Sequence, residues 1–259
     1  MMSNKILEIN NLEKSFLDPN KNPFKVLKNI SLSIKSGEIL GLVGESGSGK
    51  TTLGRVIIRL LNSDSGQIIF NGQDITSLSK KLMRKVRKDM QIIFQDPFGS
   101  LNPRHTIKNI ISEPLVIHNY KKNILDRVYE LLHQVGLDKS SINLYPHEFS
   151  GGQRQRIAIA RAIALKPKFL IADESVSALD VSIQSQILNL ISRLVRENNI
   201  SMIFISHDLS VIRHISDNIA VMNKGSIVER GKTEDVLVKP THNYTKMLID
   251  AVPGFKTNF

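Results

Sequence analysis

The stretch Gly44-Glu45-Ser46-Gly47-Ser48-Gly49-Lys50-Thr51-Thr52 constrains this chain more than any other. It fits the pattern G-x-x-x-x-G-K-[ST], which needs a strand before it and a helix after it. Both flanks have the right character. Glu38-Ile39-Leu40-Gly41-Leu42-Val43 is an apolar segment of strand length, and Leu53 to Leu61 places apolar residues at helical spacing. Glycines let the backbone turn tightly and aim its N–H groups inward at phosphate oxygens. The helix that follows adds the positive end of its dipole. In such a loop Lys50 reaches the β- and γ-phosphates, and Thr51 offers its hydroxyl to Mg²⁺. The bland alternative is a glycine-rich turn that binds nothing, and it leaves the matching flanks unexplained.

A chain of 259 residues makes one large domain or two small ones, and 41% hydrophobic content is ordinary for a globular core. Lys and Arg outnumber Asp and Glu by 35 to 24, a formal net charge of +11. That balance suits a nucleic acid, a membrane surface or a nucleotide, or else a generic solvated surface. No basic patch is interleaved with aromatic residues as in single-strand binders, and no nucleic-acid partner is expected. There is no cysteine, which excludes disulfides, thiolate metal sites and cysteine nucleophiles. No apolar run approaches the roughly 18 residues of a membrane span. Met1 to Asn10 lacks the apolar block of a signal peptide. The expectation is a chain that does not itself cross a membrane.

Along the sequence, strands are expected at Ile6 to Ile9, Val26 to Ile34 and Gln67 to Phe70, the last entering a tight turn at Asn71-Gly72. Asp18 to Phe24 reads as a loop, and Leu78 to Lys88 as a basic helix with a solvated face. Met90 to Phe94 is a compact strand, followed by a loop through Arg104. From Thr106 to Lys166 the pattern becomes helical. Ile124, Leu125, Val128, Leu131, Leu132 and Val135 fall at helical spacing before Gly136, and a further helix follows Gly152. Strands return at Phe169 to Ala172, Met202 to Ile205 and Ile219 to Met222, with a helix over Val181 to Glu197 between the first two. Asn223-Lys224-Gly225 turns into a last strand at Ile227 to Glu229, and the tail beyond Pro240 has no clear structure. Strands alternating with helices argue for an α/β sheet, interrupted by a helical insert.

Several strand ends carry chemistry. Phe169-Leu170-Ile171-Ala172 leads into Asp173 and Glu174. In α/β sheets ligands gather at the carboxyl ends of strands. Asp173 is suited to hold Mg²⁺ through its water shell, and Glu174 to polarise an attacking water. His207 follows another strand and can hydrogen-bond a γ-phosphate; Gln95 follows a third, its amide oxygen within reach of metal or water. Each of these alone is an unremarkable strand end, and the phosphate loop gives them weight. Ser150-Gly151-Gly152-Gln153-Arg154 opens a helix with exposed N–H groups and a hydroxyl, a second anion site without a lysine. The competing reading is an ordinary helix cap. Because this site lies in the helical insert, a head-to-tail dimer is the arrangement that lets it meet a nucleotide.

Taken in order, Gly44 to Thr52, Gln95, Ser150 to Gln153, Asp173-Glu174, Ser177-Ala178-Leu179-Asp180 and His207 resemble the motifs of an ATP-binding-cassette (ABC) ATPase over about residues 6 to 250. The resemblance implies an α/β fold: a RecA-like P-loop NTPase core with an antiparallel β subdomain and an inserted α-helical signature subdomain. It implies one domain over 1–259, with a nucleotide-binding core at 1–95 and 166–240, a helical subdomain at 96–165 and a short tail at 241–259. Two cassettes would sandwich two ATP molecules with Mg²⁺, the metal held by Thr51, Gln95 and Asp173. Glu174 would be the general base, His207 would hold the γ-phosphate, Ser150, Gly151, Gly152 and Gln153 would act across the dimer, and Asp180 would be a further nucleotide-binding residue. Phe16 matches the aromatic residue that stacks on adenine; its bland alternative is a core phenylalanine.

Finer motifs narrow the resemblance. Ile93 to Arg104, Tyr145 to Gln153, Val176 to Ser182, Asn243-Tyr244-Thr245 and Ala251-Val252-Pro253 look like the oligopeptide/dipeptide/nickel importer subfamily, nearest its second ATPase subunit. That implies a translocase ATPase at the cytoplasmic face of the membrane. Its implied partners are a second, similar cassette in a heterodimer, two permease chains docking near residues 95 to 104, and an extracytoplasmic binding protein. Two departures stand out. Ser175 replaces the usual proline after the acidic pair, and the cysteine-bearing C-terminal extension of longer relatives is not present, so no iron–sulfur cluster is implied. Nickel or metal-chelate import, and a soluble cassette ATPase uncoupled from transport, are the competing functions.

Overall fold

The structure is a computed structural model that describes residues 5–177 and 179–252, with the backbone alone for Pro97 and Phe98. Ala178, Pro253 and the remainder of the tail to Phe259 lie outside the described residues.

β1 (Lys5–Leu17) and β2 (Pro23–Lys35) pair antiparallel. The register sets Leu17 opposite Pro23 and Phe16 opposite Phe24, so the loop expected over 18–24 is shorter and its last two residues belong to a strand. β3 (Ile39–Val43) is buried at every position. α1 (Lys50–Ile57) starts at the lysine itself, not at Leu53. β4 (Ser65–Phe70) and β5 (Gln73–Asp74) form a hairpin, with Asn71 and Gly72 both at positive φ, as a two-residue turn requires. α2 (Lys80–Val86) is the basic helix, anchored by buried Met83.

β6 (Met90–Ile93) stops before Gln95, and the loop expected up to Arg104 contains a helical turn, α3 (Pro97–Ser100). α4 (Ile107–Ile117) and α5 (Ile124–Gln134) are N-capped by the side chains of Thr106 and Asn123. Two 3₁₀ turns lead to α6 (Gly151–Ile163), which begins two residues earlier than Gln153. β7 (Phe169–Asp173) is wholly buried, and α7 (Val181–Glu197) has the bounds expected from its apolar spacing. The chain then runs through β8 (Ser201–Ser206), α8 (Leu209–Ile215), β9 (Asn218–Asn223), β10 (Ser226–Lys232), α9 (Thr233–Val238) and α10 (Asn243–Asp250). Part of the tail beyond Pro240, Asn243–Asp250, is therefore helical.

Two compact units divide the chain, Met1–Lys85 with Ser201–Phe259, and Val86–Ile200. In the first, an antiparallel sheet ordered β2-β1-β4-β5 buries Leu7, Ile9, Leu12, Leu27 and Ile30. The same unit holds β3 between β9 and β8 in parallel register, with β10 antiparallel to β9. Parallel strands covered on both faces read as unbroken apolar runs, as β3 and β8 do. In the second unit β6 and β7 pair in parallel, and α6 packs on α4, α5, α7 and β6. This mixture of parallel and antiparallel strands around a strand–glycine loop–helix unit is the expected α/β architecture. Among the described residues no helix is long and apolar enough to cross a membrane.

Candidate nucleotide site

The phosphate loop runs from the end of β3 to the first residue of α1, and its glycines have specific causes. A Cβ on Gly44 would sit 2.1 Å from the carbonyl oxygen of Met222, so β9 approaches the loop too closely for a side chain. Gly49 is the N-cap of α1 at φ 105°, a left-handed conformation that L residues avoid. The loop is also tied to the β9–β10 turn, where Gly225 donates its N–H to the Ser48 carbonyl at 3.1 Å.

Lys50 is only 4% exposed, and its ammonium donates to the carbonyl oxygens of Gly44 at 2.8 Å and Glu45 at 2.9 Å. A buried lysine folded over its own loop is poised for an anion, because a phosphate oxygen attracts an ammonium more strongly than a neutral carbonyl does. Ser48 is 5% exposed, and its hydroxyl is buried without a hydrogen-bond partner. An orphaned polar atom inside a glycine cradle is what a ligand-binding loop leaves to be satisfied. The residues present therefore fit a nucleotide phosphate. Ser46 and Gly47 are exposed at the tip, and Thr51 and Thr52 are half-buried on the first turn of α1.

Two more predicted side chains lie in the same unit, and a third touches the loop. Phe16 is half-buried in the antiparallel sheet, with Phe24 at 6.2 Å between ring centroids and the Lys14 ammonium 5.4 Å from its ring. It is not a core phenylalanine. His207 is exposed immediately after β8, on a turn fixed by Asp208, whose N–H donates to Ser206 Oγ and whose carboxylate caps α8 at Ser210. Tyr244, on α10, carries no sequence signal for this chemistry. Its phenolic oxygen accepts the N–H of Glu45 at 3.0 Å.

In the second unit, Asp173 ends β7 at 2% exposure, and Glu174 follows at φ 43°, a left-handed backbone for a residue other than glycine. Such strain is held by surrounding structure and concentrates at functional positions. Here the turn is closed by Ser177, whose N–H and hydroxyl both donate to the Glu174 carbonyl. Gln95, although beyond its strand, reaches Glu174: its Nε2 donates to Oε2 at 2.9 Å. Ser175, which stands where proline is usual, is 2% exposed with its hydroxyl unpartnered.

The stretch 150–153 is a complete capping box. Ser150 Oγ accepts the Gln153 N–H at 3.4 Å, and Gln153 Oε1 accepts the Ser150 N–H at 3.0 Å. Arg154 braces the approach by donating twice to the Phe149 carbonyl. Gly152 faces α7 so closely that a Cβ would lie 2.5 Å from Ile183 Cγ2. Asp180 is the exposed N-cap of α7, and its side chain makes no capping bond.

The sequence model of the ABC transporter family matches residues 27–177. This chain belongs to that family. An oligopeptide transport ATP-binding protein of Streptococcus mutans, OppF, is 51% identical over 252 residues, which cover 96% of this chain and 82% of that protein. A dipeptide transport ATP-binding protein of Lactococcus lactis, DppF, is 48% identical over 255 residues, with coverage of 96% and 82%. Among solved structures, the ATP-binding cassette MJ0796, a dimer in a post-hydrolysis state bound to ADP and phosphate, aligns with a TM-score of 0.79 and 29% identity. That alignment covers 88% of this chain and 98% of the other. The cassette cbiO1 of Clostridium perfringens, part of the transporter complex cbiONQ, also gives a TM-score of 0.79 at 29% identity, covering 92% of each chain. The cassette reading of the motifs holds: the chain has the ABC ATPase fold, binds ATP and hydrolyses it.

Proposed function

We propose that this cassette is the ATP-hydrolysing subunit that energises import of oligopeptides or dipeptides by a membrane transporter. The observation that carries this reading is identity near one half, over almost the whole chain, with relatives named for oligopeptide and dipeptide transport. Its place is the cytoplasmic face of the membrane, where it pairs with a second, similar cassette, docks on permease chains near residues 95 to 104, and serves an extracytoplasmic binding protein.

The roles follow from chemistry. Gly44 to Thr52 cradle the phosphates of ATP, with Lys50 as the cationic ligand. Support comes from the buried ammonium, which donates to loop carbonyls in the bonds above. Thr51, Asp173 and Gln95 are the residues that would hold Mg²⁺, an oxygen-only set that suits a hard cation. When bound, the metal neutralises charge on the phosphate oxygens. Glu174 orients and deprotonates the attacking water, and Gln95 positions its carboxylate through the 2.9 Å bond. His207 steadies the γ-phosphate, and Phe16 offers its half-exposed ring to the base. Ser150, Gly151, Gly152 and Gln153 act on the nucleotide of the partner cassette, and Asp180 is a further nucleotide-binding residue.

The test is reconstitution of the membrane complex in vesicles, with ATPase activity followed as peptides are added. Peptides are expected to stimulate turnover. The Glu174→Gln complex should still bind ATP while turnover falls by about 100-fold or more. Stimulation by metal chelates and not by peptides would overturn the substrate class, and undiminished turnover of Glu174→Gln would remove it as the base.

A further inference from the structure

We propose that Tyr244 is a positioning residue for the phosphate loop, acting through the Gly44–Glu45 peptide on Lys50. This rests on the reading of Gly44 to Thr52 as the ATP-phosphate cradle. The Gly44–Glu45 peptide unit is pinned on both sides. Its N–H, that of Glu45, donates to the Tyr244 hydroxyl at 3.0 Å, while its carbonyl, that of Gly44, accepts the Lys50 ammonium at 2.8 Å. The orientation of this one peptide unit therefore sets where the lysine rests. Tyr244 supplies the hydrogen bond from a position 199 residues away in sequence.

The tyrosine is itself held in place. Tyr244 is 8% exposed, and burial raises its pKa, so the phenol stays neutral and keeps an oxygen available as acceptor. The start of α10 is clamped by Glu229 on β10. One carboxylate oxygen accepts the Thr241 N–H at 2.7 Å and the Thr241 hydroxyl at 2.8 Å, and the other accepts the His242 N–H at 3.1 Å. His242 Nδ1 then caps the helix by accepting the Tyr244 N–H at 3.1 Å. The result is a rigid strut from β10 through the C-terminal helix to the loop. A side chain locked by packing and by a second set of hydrogen bonds is what holds a binding constellation to tight geometry. It also gives the segment Asn243-Tyr244-Thr245 a physical task.

The deciding experiment is ATP binding to the purified full chain, with amide hydrogen exchange read at Glu45. Tyr244→Phe keeps the ring and removes the acceptor oxygen. It is expected to weaken ATP binding about three- to ten-fold, the range for one net hydrogen bond. Binding stoichiometry should stay unchanged, and exchange at Glu45 should accelerate. In the reconstituted complex the same variant should raise KM for ATP and leave kcat near wild type, a split that loss of folded protein does not produce. Glu229→Gln should weaken binding in the same direction, and the double variant should be no weaker than Tyr244→Phe alone. Should the phenylalanine variant unfold, Glu229→Gln with exchange at Glu45 carries the test. Wild-type affinity and exchange in both variants, with binding lost in Lys50→Ala, would overturn the role of Tyr244 alone. Undiminished binding in Lys50→Ala would instead overturn the reading of the loop.

Discussion

Two glycine-rich stretches each open a helix, yet they are built on opposite principles. The loop at 44–52 is incomplete by itself. Its lysine is buried against neutral carbonyls, its Ser48 hydroxyl has no partner, and its backbone is pressed against β9. The stretch at 150–153 is complete by itself. Its capping box satisfies both side chains, and Ser150 and Gln153 are exposed. The first is a cradle with a buried, unpartnered hydroxyl, the kind of gap a ligand fills. The second is a finished helix end that offers a hydroxyl and a positive dipole outward. A phosphate binder that works within its own chain needs the first design. A contact made on another molecule's nucleotide needs the second.

The largest expected effect separates the two at once. Lys50→Ala should weaken ATP binding by about 100-fold, since it removes a buried charge-assisted contact. A smaller contrast lies in the glycines. Gly44→Ala forces a Cβ to 2.1 Å from a backbone oxygen that cannot swing aside. It should cost about 1–3 kcal/mol and lower the thermal midpoint by about 2–12 °C. Gly151→Ala meets only Leu179 Cδ2, at an ordinary 3.5 Å, and replaces glycine by a better helix former. Its midpoint should stay level or rise slightly. Equal midpoints in differential scanning calorimetry would erase the distinction between a compressed loop and an open cap. The smallest effect is Ser150→Ala, about 1 kcal/mol of helix-cap stability.

Local patterns made much of this legible in the sequence. The strand–loop–helix at 38–61 and the amphipathic α7 carry their periodicity within a few turns of chain, and the apolar spacing of α7 gives its bounds to the residue. What escaped was set by contacts distant in sequence. The start of β2 is a strand because β1 pairs with it, and nothing in Pro23-Phe24 alone announces that. α8 and α9 are too short for a helical period to emerge. In the site, the residue types at 95 and 174 were readable, but the bond between them spans 79 residues. Tyr244 belonged to a recognised segment, and only the fold brings its hydroxyl to Glu45. The sequence at Ser150 suits an anion contact or a helix cap, and the structure shows the cap geometry together with exposure.

The most direct test of this contrast is equilibrium ATP binding to the purified chain, measured side by side for wild type, Lys50→Ala and Ser150→Ala. The account predicts that Lys50→Ala loses binding by about two orders of magnitude while Ser150→Ala binds ATP like wild type. If Ser150→Ala weakened binding as much as Lys50→Ala does, the two loops would serve the same nucleotide within one chain, and the account would be wrong.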